Sequence, residues 1–309
     1  MNQTSSSRRS LAVALFLLAT FSTPAATVVF ETTSPYHHIR VVDESDGSRM
    51  LSFDNSRESR MFLRDPLTGH FQYTEFFHMP WLWNTDIKNV LMIGLGGAST
   101  HRAYQNFYPE TKIDAVELDA AVFKVAKDYF LLKESPTLKV YVEDGRVFLR
   151  RSQEKYDLII LDAYSSTRYG SSLPYHLVTR EFFKSASDHM STNGVLAYNV
   201  IGTVADWKAD ILAAVYTTMT NVFPQVYLFT ATESLNVVMV ATKNPEKFTY
   251  NKLTEQLSLL TQRRSPAVAW YRSGLRQFRG VPPPAAASAP VLTDNFAPID
   301  GLLNTVPKL

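Results

Sequence analysis

The chain has 309 residues, 45% of them hydrophobic, a net charge of +2 and no cysteine. That length allows one large core, or one core and a smaller second domain. The missing cysteines exclude disulfides, thiolate metal sites and cysteine nucleophiles, and the scattered basic residues argue against a nucleic-acid partner.

The first 26 residues read as a signal peptide. Arg8 and Arg9 precede an apolar run from Leu11 to Phe21, and small residues follow around Ala25 and Ala26, the order of charged, apolar and cleavage regions in an export leader. The run is too short to span a bilayer as a helix, so no stable membrane span is expected in the mature chain. The paired arginines also suit a twin-arginine signal, which exports folded proteins. The expected location is periplasmic or secreted; a leader that does not function would leave the chain in the cytoplasm.

From 27 to about 72 short stretches alternate apolar and polar residues: "TVVFETTS", "HHIRVVDES", "RMLSFDN" and "SRMFLRD". They predict a small antiparallel sheet. The aromatic "HFQYTEFFHMPWLW" is expected to be helical toward its end. From 73 to 280 strands and helices alternate. Val90–Ile93 is a buried strand, His101–Phe107 a helix, "KIDAVELD" a strand and Ala120–Tyr129 a helix. "LKVYVED" and "YDLIILDAY" are two more strands. Glu181–Met190 is a helix, "GVLAYNV" a strand and Trp207–Val222 a long helix, and "VYLFTA" and "NVVMVATK" can pair antiparallel. Such alternation implies an α/β fold with a mostly parallel sheet covered on both faces. Residues 281–309 open with "VPPPAAASAP", read as a stiff, exposed linker before a short tail.

The chemistry gathers where strands end. Gly94, Gly96 and Gly97 follow the first parallel strand, where a bare backbone can approach a ligand at a helix N-terminus; a tight turn without a ligand would look the same. Glu117 and Asp119 close the second strand roughly two dozen positions on, where a carboxylate can accept ribose hydroxyls. A dinucleotide site would place a third glycine near Ser99. The third strand ends instead in Asp144-Gly145, able to reach an adenine amino group and leave room for its ring. Asp144 could equally cap the next helix. Asp162 ends the fourth strand in the same crevice. Glycine, glutamate and two aspartates at four strand ends favour an S-adenosyl ligand over NAD.

The stretches "VLMIGLGG", "VELD", "VEDGRVFL", "YDLIILDAY", "LVTREFF" and "NGVLAYNV" resemble, in order, the spermidine synthase (polyamine aminopropyltransferase) family, and especially its divergent spermidine-synthase-like branch. The resemblance implies a Rossmann-like, S-adenosylmethionine-methyltransferase-like domain behind a small β-domain. It implies decarboxylated S-adenosylmethionine as aminopropyl donor, an amine or polyamine acceptor, no metal, and a homodimer. Gly94, Gly96 and Gly97 would lie at the donor, Glu117 and Asp119 at its ribose, Asp144 and Gly145 at its adenine, Gln72 near the ligand and Asp162 at the reacting centre. The family pattern has an aspartate where Gly97 stands, and a second aspartate, the expected base, where Ser165 stands. Tyr164 and His176 are the remaining candidates for that base. Putrescine turnover is therefore expected to be poor. Two other readings of the pocket are a methyltransferase using S-adenosylmethionine and an exported, non-catalytic adenosyl-binding protein.

Overall fold

Residues 25–167, 170–205, 209–265 and 267–303 are described by a computed structural model. The expected leader lies outside the described residues except for Ala25 and Ala26. Four strands come first: β1 (Thr27–Thr33), β2 (His38–Asp43), β3 (Ser48–Phe53) and β4 (Ser56–Phe62). Each pairs antiparallel with the next. Their alternation turns Ile39, Val41, Leu51 and Met61 to a buried face, which packs on Val122, Val125 and Phe130 of the main body. The β3–β4 register slips once. Ser52 faces Arg57 and Leu51 faces Ser59, so Glu58 is an extra, bulged residue. A bulge bends its strand and re-aims the side chains beside it.

The main body follows the expected alternation. Its first half contains β5 (Asn89–Ile93), α1 (Ser99–Phe107), β6 (Lys112–Glu117), α2 (Ala120–Tyr129), β7 (Leu138–Val142), α3 (Gly145–Arg151) and β8 (Tyr156–Leu161). A two-stranded hairpin, β9 (Ser165–Thr167) and β10 (Gly170–Ser172), intervenes. Then come α4 (Arg180–Asp188), β11 (Met190–Ile201), α5 (Ala209–Thr220), β12 (Gln225–Thr230) and β13 (Asn236–Thr242). The chain closes with α6 (Tyr250–Arg263), α7 (Val268–Arg276), the short β14 (Phe278–Arg279) and α8 (Ile299–Leu303). The sheet order is β14-β12-β13-β11-β8-β5-β6-β7. From β11 to β7 all neighbours are parallel; β13, β12 and β14 add an antiparallel edge. The chain leaves β5 toward β7 and returns to β8 on the other side, which opens a crevice above the carboxyl ends of β5 and β8.

The aromatic segment is a 3-10 helix, Gln72–Leu82, with Pro80 inside it; proline lacks the N–H that an α-helical turn would need. Tyr104 of α1 donates to the Phe77 carbonyl at 2.7 Å. His78 Nδ1 meets the Tyr108 hydroxyl at 2.9 Å, and Trp81 stacks on the Tyr108 ring at 4.2 Å. These contacts tie the aromatic segment to α1 and to Tyr108 just after it.

The expected exposed linker is a packed strap instead. Pro283 is buried and Pro284–Ala287 form a 3-10 turn. Thr217 of α5 donates to the Ala286 carbonyl at 3.1 Å. Leu292, fully buried, donates its N–H to Thr218 Oγ1 at 2.8 Å and accepts from the Arg180 N–H at 2.8 Å. Small alanine side chains let this backbone approach α5, and the strap's polar groups are satisfied there.

Candidate active site

The crevice holds a pocket of about 310 Å³, at the lower end of the range for small-molecule sites. The glycine turn shapes one side. Gly94 has φ +99°, and a Cβ there would lie 2.2 Å from the Asp162 carbonyl oxygen. Gly96 also adopts positive φ, +48°. Ala98, at φ +57°, leaves the N-terminus of α1 without a side-chain cap. Gly97 does not reach the pocket wall. Its N–H donates to Ser59 Oγ at 2.8 Å, and a Cβ there would meet Ser59 Cβ at 2.7 Å and Phe130 at 3.0 Å. An aspartate does not fit at this position because β4 is pressed against it.

Glu117 lines the pocket as expected. Its two oxygens accept from the Leu95 N–H at 3.0 Å and the Asp119 N–H at 2.9 Å. Burial, opposed by those two bonds, pushes its carboxyl up to about 7. Each oxygen keeps a further lone pair for a ligand hydroxyl. Asp119, expected beside it, is buried away from the pocket. It caps α2, accepting from the Ala121 N–H at 2.8 Å, and also accepts from Ser34 Oγ. The need for a helix cap took this side chain.

Asp144 lines the pocket while capping α3, accepting from the Val147 N–H at 2.9 Å. Its other oxygen meets His176 Nε2 at 2.8 Å. That bond, chiefly, holds the carboxyl below its usual range. Arg146 donates to the His176 carbonyl at 3.1 Å and to both oxygens of Asp294 at 2.8 and 2.6 Å. The strap thereby reaches the pocket wall. Gly145 is needed because a Cβ would lie 2.4 Å from Ile93 Cγ2, so glycine lets α3 close on β5.

Asp162 stands opposite. Its oxygens accept from Asn199 Nδ2 at 2.9 Å and the Tyr73 hydroxyl at 3.2 Å. Burial nonetheless pushes its carboxyl up to about 7, and the charge of Glu58 adds to the shift. A carboxylate at that value is placed to exchange a proton near neutral pH. Tyr164 donates to the Asn199 carbonyl at 2.8 Å, and burial raises its phenol well above the usual range. Tyr164 and His176 both line the pocket, but neither bonds to Asp162; His176 is turned to Asp144. Of the expected catalytic set, Asp162 is bonded to Tyr73 and Asn199, His176 to Asp144 and Tyr164 to the Asn199 carbonyl.

Gln72 lies off the pocket wall. Its Oε1 accepts from the Thr232 N–H at 2.7 Å and the Thr232 hydroxyl at 3.1 Å, which pins the β12–β13 loop. Glu75 is also off the wall and pairs with His70 at 3.3 Å. Tyr73 belongs to the Tyr-x-Glu stretch that the resemblance places near the ligand, whereas sequence does not mark Asn199 or Glu58. Tyr73 and Asn199 sit in the quoted stretches "FQYTEFF" and "GVLAYNV"; for Glu58 the strand pattern carries no signal.

Five carboxylates line the pocket, those of Glu58, Glu117, Glu143, Asp144 and Asp162, and among the described residues no lysine or arginine does. The arrangement suits a cationic ligand. Among the described residues no three His, Cys, Asp or Glu side chains form a metal-binding group.

The family model described as "Spermine/spermidine synthase domain" matches residues 70–251. A polyamine aminopropyltransferase of Vibrio vulnificus is 35% identical over 195 residues, which covers 60% of this chain and 64% of the relative. An eEF1A lysine and N-terminal methyltransferase of Xenopus laevis is 28% identical over 190 residues, 59% of this chain and 27% of that relative. The chain therefore spans less than two thirds of either relative. A probable spermidine synthase from Corynebacterium glutamicum has the same fold, with a TM-score of 0.67 at 18% identity, covering 92% of this chain and 99% of that one.

Proposed function

Because the chain belongs to the spermine/spermidine synthase family, we propose that its pocket binds an S-adenosyl sulfonium donor and transfers an alkyl group to an amine, with aminopropyl transfer from decarboxylated S-adenosylmethionine as the leading reaction. The observation that carries this reading is the pocket wall of five carboxylates with no lysine or arginine among the described residues. Sulfonium and ammonium are both cations, and a low-dielectric pocket accepts them only with opposite charge nearby.

In this reading Glu117 accepts the ribose hydroxyls, and the backbone of Gly94 and Gly96 lets the donor approach. Asp162 takes a proton from the acceptor ammonium. The freed nitrogen lone pair forms a bond to the carbon beside the sulfonium. That carbon–sulfur bond breaks, its electrons stay on sulfur, and methylthioadenosine leaves. Tyr73 and Asn199 orient the Asp162 oxygens and donate hydrogen bonds to its charge. Base assistance of this kind contributes about 10²–10⁴-fold.

Gly97 and Ser165 offer no carboxylate, so putrescine is expected to turn over well below about 1 s⁻¹, an ordinary enzyme rate. A second reading, methyl transfer from S-adenosylmethionine to an amine, draws support from the relative named as a lysine and N-terminal methyltransferase. Incubating the purified chain with each donor and a series of amines, and separating the nucleoside products, tests both. Amine-dependent methylthioadenosine supports aminopropyl transfer, and amine-dependent S-adenosylhomocysteine supports methyl transfer. Formation of neither, with tight methylthioadenosine binding, would leave a binding protein.

A further inference from the structure

The pocket wall is not acidic throughout. Where α1 begins, Ser99, Thr100 and His101 line it, and this stretch has the opposite electrostatic character. The first N–H groups of a helix lack partners inside it and carry the positive end of its dipole. In α1 no side chain caps them, and no acid stands in the first turn. Arg102, 8% exposed, follows directly. It donates to the Gly97 carbonyl and, at 2.8 Å, to the Phe130 carbonyl. No carboxylate pairs with it among the described residues.

His101 adds an independent observation. It is 3% exposed, and neither ring nitrogen has a hydrogen-bond partner among the described residues. Buried polar groups are bonded as a rule, because an unmet one costs its desolvation. Burial, and then the charge of Arg102, pushes the imidazole down to about 3. Near neutral pH the ring is therefore uncharged, with one N–H to donate and one nitrogen to accept. A ligand carboxylate supplies acceptors to the helix start and to this ring. An ammonium would meet a helix dipole and an arginine of its own sign. Position narrows the ligand further. Leu95 donates to Glu117, read above as the ribose acceptor, and the turn from Leu95 leads directly to Ser99 at the start of α1.

We propose that the start of α1, with His101, is a carboxylate subsite for the α-amino-acid tail of an S-adenosyl ligand, so that the pocket takes S-adenosylmethionine and S-adenosylhomocysteine in preference to their decarboxylated forms. This rests on the reading that the pocket holds an S-adenosyl ligand. The carboxylate of the tail accepts from the helix start and from His101, and its ammonium suits the acids on the rest of the wall. The consequence differs between the two reactions. In methyl transfer S-adenosylmethionine is the donor; in aminopropyl transfer it competes with the decarboxylated donor for the same place.

The test is calorimetric titration of the full chain with S-adenosylhomocysteine, with its decarboxylated analogue, and with methylthioadenosine, which lacks the tail. The wild type is expected to bind S-adenosylhomocysteine about tenfold more tightly than the decarboxylated analogue, the effect of one charge-assisted hydrogen bond. His101→Phe keeps the bulk of the ring and should remove most of that preference, while methylthioadenosine affinity stays within about twofold. His101→Asn keeps a donor and should retain part of it, and thermal melts check that both variants fold. Three results overturn the proposal: the decarboxylated analogue binds the wild type as tightly as S-adenosylhomocysteine, folded His101→Phe keeps the full preference, or it loses methylthioadenosine affinity in parallel. If neither variant folds, the wild-type comparison decides. Methylthioadenosine binding without a preference for the carboxylated ligand defeats this inference alone, whereas failure of all three ligands to bind defeats the adenosyl reading with it.

Discussion

Asp162 and Glu117 are both pushed up to about 7 because burial outweighs the hydrogen bonds they accept. For Asp162 as base, only the ionised form works, so kcat/KM for an amine should rise about tenfold per pH unit below 7 and level off above. A pH–rate profile checks this, and Asp162→Asn should remove most of the activity at every pH. The same shifts set the sign for stability. A carboxyl whose folded value lies above its unfolded value binds more protons when folded, so its stabilisation is present below about pH 4 and lost as pH rises through about 7. Melting of the ligand-free chain should therefore fall between pH 5 and 8, with Asp162→Asn recovering about 1–2 kcal/mol at the upper end, discounted for partial exposure. Glu117→Ala should weaken methylthioadenosine at least about tenfold, since each charge-assisted hydrogen bond contributes about 1.5–3 kcal/mol; titration reads it, and unchanged affinity in a folded variant would show the ribose lies elsewhere. That Gly94, Glu117 and Asp162 reach one pocket is legible in sequence because strand ends with glycine or acid stand out. Asp119, Gly97 and Gln72 lie off the pocket wall, turned to a helix cap, a neighbouring strand and a loop, demands that one-dimensional spacing does not encode. Glu58 was invisible because a one-residue slip between β3 and β4 leaves no compositional mark.

The strap after β14 couples to the pocket through one short chain of bonds. Asp294 accepts two bonds from Arg146 and one from Thr179 at 2.7 Å, and Arg146 holds the His176 carbonyl. Asp294→Ala should release this side of the wall and weaken methylthioadenosine by about threefold, a modest effect because the pair is partly exposed. A titration beside a thermal melt separates loss of wall geometry from loss of fold; equal affinity would make the clamp purely structural. At this scale the regular elements of the main sheet were readable from alternation and helical spacing, while three parts were not. In α6 a stripe of Leu253, Leu257 and Leu260 is present, but α7 carries Gly274 and lacks a side-chain cap, so its helix depends on packing against Met79. The β9–β10 hairpin is too short for a periodic signal. The Pro/Ala run looked like a linker because composition reports stiffness and says nothing of the α5 surface that receives it.

At the level of the whole molecule, the order of strands could be anticipated as mostly parallel, but the return of the chain to the far side of β5, which creates the crevice, follows from packing rather than from any residue. The first described residues lead directly into β1 at Thr27. Export through the leader is proposed: protein from its native host should begin near Ala26 or Thr27, read by N-terminal sequencing, and a chain started at Thr27 should melt within about 2 °C of one carrying residues 1–26, a shift below that of 1 kcal/mol in a domain of this size. The pocket draws Glu58 and Ser59 from the small sheet and Gly94, Glu117 and Asp162 from the large one. An occupant is then a bridge between two separately hydrogen-bonded sheets, and its binding energy becomes adhesion between them. Amides of β3 and β4 should exchange with deuterium more slowly once methylthioadenosine and an amine are both present, by more than either gives alone. Each ligand would meet a wall already steadied by the other, so the two halves of the reaction would recruit one another before any bond is made.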